Sequence, residues 1–385
     1  MAVERACNPP LAHGSRHSSM RIALVIERFE PGGGVEGAAW AAAHALHAAG
    51  DDVHVVCRRA APAKGPIPRP VRVSASWQPW RVLAFSRAAA AAAPRGEYDA
   101  VHAFSRTRHQ DVYRTGGGCH AAYMERAYGA TGAGWRRFTP RHAAILRIEG
   151  AVFRDSSQWV QCNSEMVRNE ILDRYPVDPE RIVVIANGVD LERFRPAADR
   201  AERDALRREL DSADRLVWLL VGHGHRRKGI DTAIRALARL SEGNSVLWIA
   251  GREQEPARAL AAQLGVEDRV RLLGRERDPA QLYAAADAFI LPTRYDAFAN
   301  VCLEAAASGL PVLTSGANGA AAWLGEAGLV VDDPEDVEGF SEALTHLTDA
   351  GNRAALGGAA RAKAETRSWA DHVRDLHALY AKVKA

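Results

Sequence analysis

The sequence predicts an α/β protein with two domains, each built on a parallel sheet, that face each other across a cleft. Short apolar, β-rich runs alternate with helical patterns along the chain, which is typical of βαβ units. This alternation stops near Arg195-Pro196, gives way to a charged segment at 199–215, and then starts again. At 385 residues the chain is also long enough for two domains of ordinary size.

The first domain is predicted to span 20–195. A glycine-rich loop follows its first strand and leads to an Ala-rich helix at about 36–49, which Gly50 ends. The predicted strands of this domain are 21–27, 53–57, 71–74, 98–104, 159–162 and 182–185.

The second domain is predicted to span 196–366, with helical patterns between its strands. From Trp369 the chain reads as an amphipathic helix, which belongs to a last segment at 367–385. The predicted strands of the second domain are 216–221, 245–250, 270–273, 288–291, 312–314 and 329–331.

The composition indicates a globular enzyme, with 47% hydrophobic and 25% charged residues. No apolar run is long enough to span a membrane, and a formal charge of +3 is too small to indicate nucleic-acid binding. The five cysteines lack CxxC spacing, which favours reduced thiols of a cytosolic protein over disulfides or a zinc site. Residues 1–19 lack the apolar segment of a signal peptide, so we expect a disordered arm or a misassigned start.

The most informative stretch is 287–311, where an apolar strand is followed by a polar loop and a helix. The loop carries Asp296 and Phe298, and the helix starts near Asn300 and carries Glu304. Amides of such a loop and helix start suit a phosphate group, while the two carboxylates suit sugar hydroxyls. The stretch therefore predicts a nucleotide-sugar pocket.

A glycine-bracketed turn at 221–229 follows the first strand of the second domain. It carries Arg226, Arg227 and Lys228 at the start of a helix, where they would face the cleft. Arginine and lysine at this position would stabilise a departing nucleoside diphosphate, which is strongly negative.

A dinucleotide-like pattern, Gly32-x-Gly34-x-x-Gly37, follows the first strand of the chain. A dinucleotide site needs its glycines directly at the strand end and an acid at the end of the second strand. Here further residues intervene, and Arg58 and Arg59 stand in place of the acid. The arginines would suit a 2′-phosphate, so an NADP-dependent oxidoreductase stays an alternative, although no hydride-transfer acid or base is recognisable.

The stretch at 287–311 resembles the carboxylate-x7-carboxylate signature of the retaining glycosyltransferases of family 4, which have the GT-B fold of two Rossmann-like domains. The turn at 221–229 and the Asn-Gly-Val-Asp run at 187–190 resemble motifs of the same family. The resemblance covers about 20–385. The family usually has Glu at both acid positions, whereas this chain has the shorter Asp296.

The resemblance assigns roles to these motifs. Glu304 would hold the donor ribose, and Asp296 would hold hydroxyls of the donor sugar. Arg227 and Lys228 would neutralise the departing diphosphate, with Arg226 as a competing assignment.

Backbone groups are also implied as donor ligands. The amides of Phe298, Ala299 and Asn300 would hold the diphosphate. Gly33 and Gly34 would add backbone donors from the first domain, near the diphosphate and the acceptor.

The chain looks most like the lipopolysaccharide-core glucosyltransferases of this family. That likeness implies that Asp111 faces the cleft, and that His120 or His102 stabilises the transition state or the acceptor hydroxyl. With no further carboxylate placed as a nucleophile, front-face attack by the acceptor fits retention. No Asp-x-Asp triplet occurs, which favours a metal-independent reaction without a cofactor.

The expected reaction transfers glucose from UDP-glucose to a lipid-linked glycan such as the lipopolysaccharide core. UDP-galactose, UDP-GlcNAc or GDP-mannose as donor stays open, as does a non-catalytic protein that binds a sugar nucleotide.

The segment 135–154 interleaves five arginines with aromatic and aliphatic residues, which predicts a basic helix on an anionic membrane surface. Together with the reduced cysteines, this helix leads us to expect a cytoplasmic protein that is peripheral on the inner membrane.

Overall fold

The computed structural model describes residues 19–384 except 75, 76, 242, 253 and 276. The arm expected at 1–19 therefore lies outside the described residues, apart from Ser19. The strands of the first domain are β1 (Arg21–Val25), β2 (Arg28–Phe29), β3 (Asp52–Cys57), β4 (Arg59–Ala60), β5 (Ile67–Pro70), β6 (Ala100–Ala103), β7 (Val112–Arg114), β8 (Trp159–Cys162) and β9 (Ile182–Val184). Its helices are α1 (Gly34–Ala48), α2 (Gln78–Ala92), α3 (His120–Arg136), α4 (Pro140–Val152) and α5 (Glu165–Leu172).

The second domain repeats the alternation of strand and helix. Its strands are β10 (Leu216–Val221), β11 (Ser245–Ala250), β12 (Val270–Gly274), β13 (Ala288–Leu291), β14 (Val312–Ser315) and β15 (Leu329–Val331). Its helices are α6 (Arg200–Glu209), α7 (Ile230–Arg239), α8 (Glu255–Gln263), α9 (Pro279–Ala285), α10 (Asn300–Ala307), α11 (Ala320–Leu324), α12 (Val337–His346) and α13 (Ala350–Glu365), and α14 (Trp369–Lys384) ends the chain.

Both large sheets are parallel and doubly wound. The first has the order β5-β3-β1-β6-β7-β8-β9, and the second has the order β12-β11-β10-β13-β14-β15. In each sheet the strand order reverses next to the first strand, between β1 and β6 and between β10 and β13. Ligands of open parallel sheets bind at the carboxyl ends of the strands at such a reversal.

The central strands of the second sheet are buried because helices cover both faces. Strand β10 has the sequence Leu-Val-Trp-Leu-Leu-Val, a continuous apolar run of the kind that parallel sheets require. Trp218 on β10 and Trp248 on β11 are almost fully buried. This core fixes the strand ends from which the loops of the site emerge.

The chain crosses between the domains twice, in segments that run side by side. The Val189 N–H donates to the Arg367 carbonyl oxygen at 3.0 Å, and Val189 forms a bridge with Ser368. Gly188 lies so close to Trp369 that an added Cβ would be 2.8 Å from the Trp369 Cα. After the second crossing, α14 packs on α1 and β6 of the first domain.

Two predictions for the first domain need correction, and one strand was missed. The strand expected at 71–74 is wrong: β5 lies at Ile67–Pro70, where an edge position tolerates its prolines. Strand β7 was not expected at all. The single basic helix expected at 135–154 is also wrong, because α3 ends at Arg136 and Pro140 begins α4.

The attachment of α14 depends on Tyr380, which is fully buried and whose hydroxyl lies 2.8 Å from His102 Nδ1. We expect Tyr380→Ala to reduce the free energy of unfolding of the first domain by about 3–5 kcal/mol, because it leaves a cavity. Tyr380→Phe should reduce it by only about 1 kcal/mol, through loss of the hydrogen bond. Urea denaturation measures both, with Ala381→Gln on the exposed side of α14 as the control. Equal effects of Tyr380→Ala and the control would show that α14 does not stabilise the first domain.

Candidate functional site

Two loops meet at the carboxyl edge of the second sheet, at the reversal of strand order. We call the turn after β10, at 222–229, the cation turn, and the loop after β13, at 292–299, the acid loop. The sequence predicted functional groups in both loops, and the topology makes them neighbours because β10 and β13 are adjacent.

Backbone contacts hold the cation turn against the acid loop. Gly229 has a φ of +67°, and an added Cβ would lie 1.9 Å from the Pro292 carbonyl oxygen, so the close approach requires glycine. The Arg294 N–H donates to the Arg227 carbonyl oxygen at 2.8 Å. The Arg294 guanidinium also forms an ion pair with Asp231 at 2.9 Å, which anchors the acid loop to the start of α7.

Asp296 accepts hydrogen bonds from both cations that the sequence singled out. Its Oδ2 lies 2.7 Å from Lys228 Nζ and 3.1 Å from Arg227 Nη1. Burial opposes ionisation of Asp296, but Lys228 and Arg227 outweigh it, so the pKa of Asp296 lies below its ordinary value. Lys228 is buried and Arg227 is exposed, so the cluster can present a cation to a ligand in the cleft.

Arg226 does not belong to this cluster. Its side chain is exposed and makes no ion pair or hydrogen bond within the described residues, although its carbonyl oxygen accepts from Arg294 Nη1 at 2.5 Å. The structure therefore favours Arg227 and Lys228 as the cation pair of the turn.

Glu304 lies about one turn into α10, where the sequence predicted it. Its Oε2 accepts a hydrogen bond from the hydroxyl of the fully buried Tyr283 at 3.0 Å. Burial raises the pKa of Glu304, and the Tyr283 hydroxyl opposes that shift. Tyr283 therefore orients a half-buried carboxylate that can accept hydrogen bonds from sugar hydroxyls.

The amides at the start of α10 are less open than expected. The Phe298 N–H donates to Asp296 Oδ1 at 3.3 Å, and the Ala299 N–H donates to Asn318 Oδ1 at 3.2 Å. We expected the N–H groups of all three residues to be open to a ligand. This prediction is wrong for Phe298 and Ala299, because a buried loop pairs its own polar groups. The Asn300 N–H stands in the first turn of α10, where the helix offers it no acceptor.

Gly33 and Gly34 lie at the start of α1, at the carboxyl edge of the first sheet. Both are exposed, and an added Cβ on either would meet nothing within 4 Å. Gly37 differs, since an added Cβ would lie 1.7 Å from the Gly32 carbonyl oxygen. Gly37 is therefore required because the loop packs closely on α1. Dinucleotide binding is not needed to explain this third glycine of the pattern.

Of the two arginines proposed for a 2′-phosphate, Arg58 already has a partner. Arg58 Nε lies 3.1 Å from Glu27 Oε1, and Arg81 Nε lies 3.0 Å from the same oxygen. Arg58 is therefore committed to a carboxylate of the loop after β1.

The prediction that Asp111 faces the cleft is wrong. Asp111 directly precedes β7 and so lies at the amino edge of the first sheet, opposite the cleft. Its carboxylate is 2.6 Å from Arg95 Nε and accepts the Val101 N–H at 2.8 Å. Asp111 thus ties together segments that enter neighbouring strands, which is a structural role.

His102 is also not a residue of the site. It lies within β6, is fully buried, and faces Tyr380 of α14. Burial keeps the pKa of His102 well below its ordinary value, so the ring is neutral at physiological pH.

His120 lies at the first position of α3, in the segment that follows the carboxyl end of β7. Its N–H donates to Glu149 Oε1 at 2.7 Å, and its Nε2 lies 2.9 Å from His142 Nδ1. Burial, followed by the positive charge of Arg106, lowers the pKa of His120 to about 3. A neutral His120 shares a hydrogen bond with His142 at physiological pH.

Two hydrogen bonds join the two domains beside the site. The hydroxyl of Tyr295 donates to Glu170 Oε2 at 2.9 Å. Ser164, which caps α5, donates from Oγ to the Ala297 carbonyl oxygen at 2.7 Å. These contacts show that the carboxyl edges of the two sheets face each other, because the residues of both domains follow strand ends.

Sequence reasoning missed several of these groups. Arg294 and Asp231 are 63 residues apart, and so are joined by no local pattern. Tyr295 lies in the acid loop next to Asp296, but its partner Glu170 lies inside a short helix of the other domain. Such pairs lie far apart in the sequence, so no local motif could identify them.

The described part of the chain contains no group of three or more His, Cys, Asp or Glu residues arranged to hold a metal ion. Within the same residues, no helix combines the length and the apolar character that crossing a membrane requires.

Comparison with known proteins identifies the family of both halves of the chain. The profile described as "Glycosyltransferase Family 4" matches residues 32–193. The profile described as "Glycosyl transferases group 1" matches residues 215–350, which include the cation turn and the acid loop.

Individual relatives agree with this assignment. The lipopolysaccharide glucosyltransferase WaaG of Escherichia coli is 30% identical over 279 residues, covering 70% of this chain and 73% of WaaG. The D-inositol 3-phosphate glycosyltransferase of Salinispora tropica is 35% identical over 243 residues, covering 58% of this chain. That match spans only 50% of the Salinispora protein, so this chain corresponds to about half its length.

Solved structures show the same architecture. The crystal structure of WaaG superposes with a TM-score of 0.80 and 26% identity, covering 93% of this chain and 99% of WaaG. Anabaena HepE in complex with UDP-glucose has a TM-score of 0.72, with 94% of this chain and all of HepE covered. At 20% identity HepE shows a shared fold alone. By sequence and by architecture, the chain belongs to glycosyltransferase family 4 and has the GT-B fold.

Proposed function

We propose that this protein transfers glucose from UDP-glucose to a hydroxyl of a lipid-linked glycan such as the lipopolysaccharide core, with retention of the anomeric configuration. The observation that carries the proposal is the cluster of Arg227, Lys228 and Asp296 at the strand-order reversal, next to Glu304. The likeness to WaaG, a lipopolysaccharide glucosyltransferase, supports both glucose as the transferred sugar and a lipopolysaccharide acceptor.

The donor would be held by groups of the second domain. Glu304, oriented by Tyr283, accepts hydrogen bonds from the ribose hydroxyls. The diphosphate lies at the start of α10, where the helix dipole and the open Asn300 N–H favour an anion. Arg227 and Lys228 neutralise the negative charge that grows on the diphosphate as the glycosidic bond breaks.

Asp296 links donor recognition to the cations. In the described structure Asp296 Oδ2 accepts from Lys228 and Arg227 together, so the carboxylate holds the two side chains in place. When the diphosphate binds, the cations gain a second anionic partner, and Asp296 can accept a hydrogen bond from the donor sugar. Asp296 has a shorter side chain than the Glu that is usual in the family. The ion pair between Arg294 and Asp231 holds the acid loop close to the cation turn, so Asp296 still reaches both cations.

The acceptor would enter from the first domain and attack the donor on the face from which the diphosphate leaves. Gly33 and Gly34 offer open backbone at that edge of the cleft. His120 is neutral at physiological pH and so can exchange a hydrogen bond with the acceptor hydroxyl. No cofactor or metal ion takes part in the proposed reaction, which relies on the cations and on the start of α10.

Donor binding tests this proposal most directly. We expect UDP-glucose to bind in the presence of EDTA, and Glu304→Ala to weaken binding about tenfold or more by removing the ribose acceptor. Isothermal titration with UDP-glucose, UDP-galactose, UDP-GlcNAc, GDP-mannose and NADP measures this, with the exposed Glu326→Ala as the control. If the protein prefers another sugar nucleotide, that nucleotide replaces UDP-glucose as the proposed donor. Binding of NADP without binding of any sugar nucleotide would contradict the proposed glycosyltransferase activity.

The cation pair makes a second prediction, because Arg226 supplies a matched control in the same turn. We expect Arg227→Ala and Lys228→Ala each to lower kcat by about 100-fold, since they remove charge that stabilises the leaving group. Arg226→Ala should lower kcat less than twofold. Transfer of radiolabelled glucose to purified lipopolysaccharide core measures the rates. Equal losses in all three variants would contradict the assignment, and donor binding without any transfer would indicate a non-catalytic protein.

The membrane surface is a further part of the proposal, with the protein cytoplasmic and peripheral on the inner membrane. Trp135 and Phe138 are exposed where α3 ends, and the exposed Arg137 and Arg147 lie on the same helical pair. Aromatic residues beside cations suit the interface of an anionic bilayer. The patch spans the end of α3 and part of α4, so docking does not need the single basic helix that the sequence predicted.

Vesicle binding tests the patch. Because each basic residue near an anionic surface contributes about 1 kcal/mol, Arg137→Ser with Arg147→Ser should weaken binding to phosphatidylglycerol vesicles about 30-fold. Arg200→Ser with Arg208→Ser, both exposed on α6 of the second domain, should have little effect. Co-sedimentation at 0.1 M salt measures the difference. Equal losses for the two pairs would exclude docking through this patch.

A further inference from the structure

One buried cation of the first domain has no carboxylate partner. Arg114, the last residue of β7, is 3% exposed and forms no ion pair within the described residues. Its Nε and Nη1 are buried without a hydrogen-bond partner there, and its guanidinium lies 4.9 Å from the centre of the Phe104 ring. Burial lowers its pKa to about 10, which leaves it charged at neutral pH. A buried charge without a counter-charge destabilises a protein, so we expect Arg114 to have a function that explains why it is kept.

A chain of two short hydrogen bonds leads from Arg114 to the donor side of the cleft. Arg114 Nη2 donates to Asn187 Oδ1 at 2.6 Å. Asn187 Nδ2 in turn donates to Asn300 Oδ1 at 2.5 Å. Asn187 belongs to the segment that crosses between the domains, and Asn300 is the first residue of α10. We call Arg114, Asn187 and Asn300 the relay.

The chemistry of arginine fixes the direction of the relay. A guanidinium can only donate hydrogen bonds, so Asn187 must turn its oxygen toward Arg114 and its NH2 group toward Asn300. Asn300 must then turn its oxygen toward Asn187. The NH2 group of Asn300 is left as the last donor of the relay, beside the backbone N–H of the same residue.

Charge strengthens this arrangement. A hydrogen bond from an ionised donor is stronger than a neutral one, and successive hydrogen bonds in a low-dielectric interior polarise each other. The positive charge of Arg114 therefore makes the NH2 group of Asn300 a better donor. The start of α10 carries the positive end of the helix dipole, which adds to the same preference for an anion.

We propose that Arg114 is a positioning residue for the diphosphate of the donor, and that it acts through Asn187 to aim the Asn300 amide at that anion. The diphosphate in turn provides the negative charge that Arg114 lacks in its own domain. This inference rests on the proposed function, because it takes a nucleoside diphosphate as the ligand. It adds first-domain side chains to a donor site whose other proposed side chains belong to the second domain.

The relay should distinguish a diphosphate from the nucleoside that carries it. We expect Arg114→Met to raise the dissociation constant of UDP about tenfold, which is the scale of one lost charge-assisted hydrogen bond. Binding of uridine should change less than twofold. Arg114→Lys, which keeps the charge and one donor, should recover part of the UDP affinity. Isothermal titration calorimetry measures both ligands.

A control removes a different buried arginine. Arg207 on α6 is 5% exposed and forms an ion pair with Asp287 at 3.0 Å, at the amino end of β13 and opposite the acid loop. Arg207→Met should lower stability without changing the ratio of UDP to uridine affinity. A general loss of packing in the Arg114 variant would lower both affinities together.

A double-mutant cycle tests whether the three residues act as one unit. If they do, Arg114→Met with Asn300→Ala should bind UDP within twofold of the weaker single variant. Effects that multiply to about a hundredfold would overturn the relay, as would UDP and uridine affinities that fall alike. In the wild-type protein, the NH2 resonances of Asn300 should shift on addition of UDP and not of uridine. Absence of that shift would also overturn the inference, even if Arg114→Met does not fold.

Failure of the proposed function gives a different result. If the wild-type protein binds none of UDP, GDP and ADP, no nucleoside diphosphate is its ligand, and the relay loses its ligand too. If the wild-type protein binds GDP or ADP instead of UDP, the same variants are measured with that nucleotide and its nucleoside.

Discussion

The parallel direction of the strands is the constraint on which the candidate site depends. In a parallel sheet every strand ends at the same edge, so each strand-to-helix loop emerges there. Both sheets of this protein are parallel, and contacts such as Ser164 to Ala297 show that their carboxyl edges face each other. The glycine loop before α1, the cation turn and the acid loop therefore meet one cleft without any special arrangement of the chain. The same rule explains why Asp111, at the amino end of β7, cannot take part.

Within the cleft, the charged groups are fixed before any ligand arrives. Asp296 holds Lys228 and Arg227, and Arg294 ties the acid loop to Asp231. Preorganised cations need not reorient as charge develops on a leaving group, which is the main source of electrostatic stabilisation in enzymes. The two domains differ in how their cations near the cleft are paired. The second domain pairs its cations with Asp296, whereas Arg114 of the first domain has no such partner within the described residues.

Local patterns were enough to predict most of the second domain. The strands expected at 216–221, 245–250 and 288–291 have the same bounds in the structure, because each is a short apolar run before a turn. The first domain was harder to predict, since β7 has only three residues and β5 contains two prolines. Missing β7 had a direct consequence, because without that strand the sequence could not show on which edge Asp111 lies.

The site was predictable where chemistry and position coincide in one motif. The acid loop and the cation turn each carry several functional groups within a few residues of a strand end, so their meeting could be inferred from the sequence. Pairs between distant segments could not. Arg114 with Asn187 and Tyr295 with Glu170 are single polar residues in separate elements, and only the tertiary structure brings each pair together.

The return of α14 to the first domain has a consequence for how the molecule assembles during synthesis. Its side chains Val373, Leu376, Leu379 and Tyr380 belong to the same apolar cluster as Ile22 and Leu24 of β1. Strand β1 is synthesised well before α14, so the apolar cluster that they share stays incomplete until α14 has been made. The second domain, whose elements lie between the two crossings, can complete its own core earlier. A nascent chain that has not yet reached α14 therefore carries an incomplete first domain beside a second domain that can already fold. The exposed face of β1 and α1 is the surface that a chaperone would have to protect until α14 packs on it.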